Sequence, residues 1–255
     1  MKTNNLEKFK DKLAAGKFCL GASISVSDPS VTELACEAGF DFVFIDGEHG
    51  NIDRDAAMKH LMAVSGKDAA SFYRVPDTSH TEIKRVIDFA PAGIVVPMVM
   101  NAEEGRRAIA AMRYPPVGDR GCGFRRGPRY GATEFAAYWD ASKREPWVIL
   151  QLEHISAYRD LDRILELEGL DSIMIGPFDF SASMGKPGQW DDPKLRKVFD
   201  DACRRIRAAG VMLGVALDVR AAEWRARGAQ WMAVKGDMPA LMERWREVIR
   251  ENRGL

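Results

Sequence analysis

Short apolar runs recur along the chain, separated by stretches in which apolar residues return at helical spacing. The clearest are Val148-Ile149-Leu150 and Ile173-Met174-Ile175. Each is too short for a helix, rich in β-branched residues and bounded by Gly or Pro, which predicts parallel strands covered on both faces. Runs of the same kind lie at 18–25, 40–45, 69–75, 93–99, 211–217 and 230–234. Between them, Leu6, Phe9 and Leu13 predict an opening helix that closes near Gly16. Asp28-Pro29 offers a cap and a first-turn proline to a helix ending at Gly39. Further helices are expected over 53–64, from Pro76 through Phe89, over 102–112 and over 193–209. The segment LDRILELEGL fits one more, returning the chain from the strand at 147–152 to that at 173–175. In the last helix, 239–250, Leu241, Met242, Trp245, Val248 and Ile249 share one broad apolar face.

Eight strands alternating with helices in 255 residues predict an α/β fold, a (β/α)8 TIM barrel occupying 1–255 as one domain. Its ends are the N-terminal helix within 1–16 and the C-terminal helix within 239–255. A doubly wound open sheet competes, but no GxGxxG follows the first strand. The alternation breaks once, at 113–146, where RYPPVGDRGCGFRRGPRYG precedes a modest helical segment at 133–143. An insertion of this length in a compact domain is expected to be functional or interfacial.

Composition narrows the partners. Lys and Arg number 37 and Asp and Glu 37, so the balance gives no global attraction to nucleic acid or to an anionic membrane. No apolar run approaches the ~20 residues of a membrane span, and the polar MKTNNLEKFKDKL start has no signal core. Cys19, Cys36, Cys122 and Cys203 are scattered, which suits a reducing compartment better than a disulfide framework or a zinc site. The expectation is a soluble, cytoplasmic protein acting on small molecules.

A barrel places its site at the carboxyl ends of the strands. Those ends carry Ser23 or Ser25, Asp46, Glu48, His49, Arg74, Glu153, Asp179 and Lys235. Glu153 and Asp179 close neighbouring strands, and two hard oxygen ligands meeting there suit Mg²⁺ or Mn²⁺. The competing reading makes Glu153 a helix cap and Asp179 an Asx-turn. His49, three residues past Asp46, is placed to act as a general base or to sit as a solvated loop residue. His60 and His80 fall on helices and are expected at the surface. His154 should point away from Glu153, because neighbours on an extended chain face opposite ways. Arg74 offers a fork of donors for a carboxylate or an enolate, or for a structural ion pair. Lys235 could serve as a Schiff-base amine if desolvated, but the VKGDM turn around it reads as wet and favours an ordinary lysine. GxSxG and the P-loop are both missing.

Several of these segments together resemble one family. FVFIDGEHG, RVP, PMV, RYPPVGDRG, QLE and IGPFDFSASMG, in this order from about Gly21 to the last strand, are similar to the HpcH/HpaI-type class II pyruvate aldolases of the phosphoenolpyruvate/pyruvate barrel superfamily. The resemblance implies a metal-dependent carbon–carbon lyase that reversibly cleaves 4-hydroxy-2-oxo acids to pyruvate, or another 2-oxo acid, and an aldehyde, through the enolate of a pyruvate chelated to Mg²⁺, Mn²⁺ or Co²⁺. It implies Glu153 and Asp179 as metal ligands, and His49 as a base working through water with Asp46 as its orienting partner. Arg74 then stands beside the keto oxygen and Gln151 beside the bound keto acid, while Gly176, Pro177 and Phe178 turn backbone N–H groups toward the carboxylate. The family also tends to form hexamers, trimers of dimers that exchange the last helix. Divergent branches run a citrate-synthase-like or CoA-thioester lyase or synthase reaction on the same metal–enolate site. A non-catalytic keto-acid-binding barrel is the reading from another class. Arg125, Arg126 and Arg129 make the central loop more basic than the family pattern. They are expected either as solvated or interfacial residues, or as one arginine reaching a barrel mouth to hold the aldehyde's distal carboxylate.

Overall fold

Every second residue of a strand faces the same way, and here that alternation builds two cores. Phe42, Phe44, Ala70, Phe72, Trp147, Ile149, Met174 and Trp231 belong to the inner one. Val43, Ile45, Val148, Leu150, Ile173 and Ile175, the residues between them, pack outward against the helices. The computed structural model describes residues 4–216, 218 and 220–253. Leu217, at the end of the expected seventh strand, and residues 1–3 and 254–255 lie outside the described residues.

The strands are β1 (Cys19–Ile24), β2 (Phe42–Asp46), β3 (Ala70–Arg74), β4 (Gly93–Val96), β5 (Trp147–Leu152), β6 (Ser172–Ile175), β7 (Met212–Val215) and β8 (Trp231–Gly236). All pair in parallel, each with its sequence neighbours, and β1 closes on β8. The TIM barrel is therefore observed. The helices of its first half are α1 (Leu6–Ala14), α2 (Ser30–Glu37), α3 (Arg54–Ala63), α4 (His80–Ile87), α5 (Ala102–Met112) and α6 (Phe135–Ser142). Those of the second are α7 (Ile155–Arg159), α8 (Leu161–Leu165), α9 (Pro177–Ser183), α10 (Pro193–Ala208), α11 (Ala221–Ala226) and α12 (Asp237–Arg253). Among the described residues no helix is long and apolar enough to cross a membrane.

Three local differences from the sequence reading have clear causes. The single helix expected after β5 is the broken pair α7 and α8, with Asp160 between them accepting the N–H of Ala102. The opening helix does more than lead in. Phe9 sits edge-on to Phe42, Phe72 and Trp147 at 5.6, 5.0 and 5.8 Å, so α1 plugs the lower end of the barrel. His60 is a buried residue, not a surface one: its Nδ1 lies 2.8 Å from Thr32 Oγ1 and ties α3 to α2. Burial lowers its pKa and favours the neutral ring.

The 113–146 insertion joins the end of α5 to the start of β5, which fixes it at the base of the barrel, opposite the mouth. Its arginines hold it there. Arg126, 4% exposed, donates from Nη1 to Phe89 O (2.6 Å) and from Nη2 to Leu61 O (2.7 Å), just past α4 and in the last turn of α3. Arg120 stacks on Tyr114 and donates to Asp88 Oδ1 and the Tyr138 hydroxyl. The expectation that a loop arginine reads a carboxylate at its own barrel's mouth is corrected, because the helix C-termini that need cationic caps lie at the other end. Arg125 and Arg129 are exposed on that lower surface.

Candidate active site

Arg74 ends β3, and its alternation with Ala70 and Phe72 turns it into the barrel. It is 2% exposed, with its guanidinium 5.3 Å above the ring of Phe44. A cation so buried must be paired. The β2–β3 register sets Asp46 directly opposite, and Asp46 accepts from Nε at 2.9 Å and from Nη2 at 2.6 Å. Glu48 Oε2 lies 2.7 Å from Nη1. Burial opposes the charge, but Asp46 and Glu48 outweigh it and the pKa of Arg74 is raised.

Asp46 also fixes the loop that follows β2, accepting the backbone N–H of Glu48 at 3.1 Å and of His49 at 3.2 Å. It does so in place of the expected contact with the imidazole, because Arg74 already takes its two oxygens. The side chain of His49 is 68% exposed, and its Nε2 lies 3.8 Å from Glu48 Oε2. A tight loop of this kind leaves no room for a side chain at Gly47, where a Cβ would fall 2.3 Å from the Tyr73 hydroxyl.

Glu153 immediately follows β5, two residues past Gln151 and on the same inward face. It is 2% exposed. Its Oε1 accepts the N–H of Met98 at 2.5 Å, and its Oε2 accepts from the Gln151 amide. Met98 presents that N–H from a left-handed conformation, φ 50°, unusual for a residue with a side chain. Burial raises the pKa of Glu153 to about 7. The Met98 N–H works against this rise, and the nearby charges of Glu48 and Asp179 add to it. Gly176 faces this carboxylate, where a Cβ would come 2.8 Å from Glu153 Oε2.

The observed arrangement fits a divalent cation. Glu153 carries an excess of like charge around it, and the buried Oε1 of Gln151 has no hydrogen-bond partner. Asp179, exposed in the first turn of α9, has no bonded partner for its carboxylate among the described residues. These are hard oxygen donors. Among the described residues no group of three His, Cys, Asp or Glu could by itself hold a metal, so water and substrate oxygens would supply the remaining ligands.

The other strand-end residues have structural duties. His154 Nδ1 accepts the N–H of Ser156 and caps α7, which leaves Glu153 free of the capping role. Lys235 pairs with Glu243. Ser25 donates to Asp237 at the start of α12. In the turn after β6, the Gly176 N–H is already given to Leu152 O, and Pro177 has none. The first-turn N–H groups left to a ligand are those of Phe178 and Asp179.

The segments that meet at this mouth are DGEH, RVP, QLE and GPFD. A model of the HpcH/HpaI aldolase/citrate lyase family matches residues 21–238. The chain belongs to that family. It is similar to a 2-keto-3-deoxy-L-rhamnonate aldolase of Klebsiella pneumoniae, 36% identical over 90% of this chain and 86% of that one. A 4-hydroxy-2-oxovalerate aldolase of Rhodococcus jostii is 34% identical over 90% of this chain and 89% of its own length. The crystal structure of an HpcH/HpaI aldolase from Desulfitobacterium hafniense superposes with a TM-score of 0.86, at 28% identity, covering 96% of both chains.

Two features of this HpcH/HpaI barrel escaped the sequence reading. The left-handed Met98 has no signature beyond its place in PMV, since residues with side chains rarely adopt that conformation. Glu48 stood among the strand-end acids without a role, because only the register of β2 on β3 shows that Arg74 has a donor left for it.

Proposed function

We propose that this aldolase reversibly cleaves 4-hydroxy-2-oxo acids to pyruvate and an aldehyde. The observation that carries the reading is a buried cluster in which the Arg74 guanidinium, over Phe44, lies in the electrostatic reach of the Glu153 carboxylate, itself bonded to the amide of Gln151. A 2-oxo acid needs such a pairing of donors for its oxygens with acids for a cation. Glu153 and Asp179 would hold the cation, Mg²⁺, Mn²⁺ or Co²⁺. When bound it supplies Lewis-acid polarisation of the keto group. Arg74 donates to the oxygen on which enolate charge develops, and stabilises that charge in a site that excludes water. The amide of Gln151 and the N–H groups of Phe178 and Asp179 orient the carboxylate. His49, on the loop pinned by Asp46, takes the proton of the 4-hydroxyl through a water as the C3–C4 bond breaks.

Assembly is part of the proposal. No residue of α12 is buried, and Leu241, Met242, Trp245 and Ile249 stand exposed along one side. Beside its start lies an apolar groove of about 400 Å³ whose walls include Ala22, Ile24, Val31 and Leu34. A second copy's last helix fits this groove, and the hexamer built from such dimers is the state we assign.

The test is a panel of aldehydes incubated with pyruvate and Mn²⁺ or Mg²⁺, with products read by mass. Adducts heavier than pyruvate by the mass of the aldehyde are expected, and should vanish after chelation. Borohydride trapping of pyruvate on Lys235 would replace the metal reading with a Schiff-base one.

A further inference from the structure

In the site as it stands, both carboxylates of the DGEH loop are spent on one arginine. Asp46 takes Nε and Nη2, and Glu48 takes Nη1. A keto oxygen that approaches Arg74 along its Nη1 edge therefore competes with Glu48 for that nitrogen. The two are held very differently. Asp46 accepts four donors, two from Arg74 and two from the loop backbone, and its side chain is 5% exposed. Among the described residues Glu48 is approached by the Nη1 of Arg74 and, at 3.8 Å, by the Nε2 of His49, and its Oε2 is buried without a well-aligned hydrogen bond. Glu48 is the partner that yields. Once released, the nearest cationic or donor side chain recorded beside it is His49, whose Nε2 is already 3.8 Å from that same oxygen.

We propose that Glu48 is the positioning residue of the base: substrate binding at Arg74 frees its carboxylate, which then accepts the Nε2–H of His49. This rests on the reading of His49 as the base. Such a bond fixes the imidazole tautomer and leaves Nδ1 as the proton acceptor. When the substrate hydroxyl gives its proton to Nδ1 through the intervening water, the ring becomes an imidazolium beside an ionised carboxylate. Glu48 itself gains and loses no proton. The same exchange gives the free site a reason to hold Glu48 on Arg74, since a buried guanidinium edge left bare is costly. It also explains how a histidine so exposed can be held in place only once substrate is present.

The test is a double-mutant cycle on the full-length, Mn²⁺-loaded protein with Glu48→Gln, His49→Ala and the pair, following cleavage of a 4-hydroxy-2-oxo acid and binding of pyruvate. Glu48→Gln should lower kcat about ten- to a hundredfold, the effect of losing a hydrogen bond to a charged group. It should not weaken pyruvate binding, because the competitor for Arg74 is made neutral. Glu48→Asp, which keeps the charge, should recover part of the lost kcat. In the His49→Ala background, Glu48→Gln should cost nothing more, the signature of a residue acting through another. An equal loss from Glu48→Gln in both backgrounds, or a loss that appears mainly as weaker pyruvate binding, would overturn the inference. If His49→Ala alone keeps near-normal turnover, the assignment of the base fails and the inference falls with it.

Discussion

Glu153 makes the reading of the mouth measurable through pH. It is 2% exposed, and burial lifts its pKa to about 7 despite the N–H of Met98 on Oε1. In the metal-free protein about nine-tenths of the molecules then carry this proton at pH 6 and about one-tenth at pH 8. A cation must displace it, so binding should release about 0.9 proton at pH 6 and about 0.1 at pH 8 from this group, and apparent affinity should fall about tenfold per unit below pH 7. Titration calorimetry with Mn²⁺ in two buffers of different ionisation enthalpy reads the proton count directly. Stability supplies an independent check. The unfolded carboxyl ionises near 4.5 and the folded one near 7, so between these values the folded state holds a proton the unfolded chain has lost. Stability must therefore fall as pH rises through that window, and above it the buried charge costs on the order of 3 kcal/mol. Glu153→Gln should remove that fall, so the difference in unfolding free energy between parent and variant, both in chelator, should grow from pH 5 to pH 8. Proton release at pH 6 no greater than at pH 8, together with parallel stability curves, would refute the placement of Glu153 at the cation.

Other perturbations separate the parts of the molecule. Arg74→Ala should abolish both cleavage and solvent exchange of pyruvate methyl protons, followed by NMR in D₂O; surviving exchange would show that the enolate forms without it. Arg126→Ala should cost about 3 kcal/mol of stability from two lost hydrogen bonds to a charged donor, and kcat/KM should change equally for acidic and neutral aldehydes. For His60 the folded pKa is depressed, so its contribution is present at neutral pH and is lost as pH falls below about 6.5. A thermal-unfolding series from pH 7.5 to 5.5 should be flatter in His60→Gln than in the parent. Trp245→Glu on α12 should shrink the assembly in sedimentation velocity, and an unchanged sedimentation coefficient would remove the helix from the interface.

The barrel and the loops at its mouth were legible in the sequence for a reason that also marks where the reading stopped. Strands covered on both faces write themselves as apolar runs, and their order in an all-parallel sheet follows from the short connections. The polar residues that interrupt such runs at their carboxyl ends, Asp46, Arg74, Gln151 and Glu153, then stand out by contrast. Nothing comparable marks a buried polar residue on a helix. His60 sits on α3 next to Lys59, and its burial comes with its tie to Thr32 of α2, a fact of tertiary structure alone. The same holds for Arg126, whose loop reads as functional or interfacial with its arginines in solvent or at a contact, while its guanidinium is closed over two helix ends.

The identity of a charged residue's partner is the least legible feature of all. Asp46 and His49 are three residues apart in a motif, and that closeness suggested a contact between side chains. The strand register decides otherwise, because pairing Asp46 with Arg74 brings a fork of donors to a carboxylate that was the nearest anion to a buried cation. A guanidinium out of water, over the Phe44 ring, has far more to gain from a fixed anion than an imidazole at the surface does. Sequence proximity thus lost to the energetics of burial. Glu48, which sequence reading left without a task, becomes the only carboxylate of the loop able to change partners.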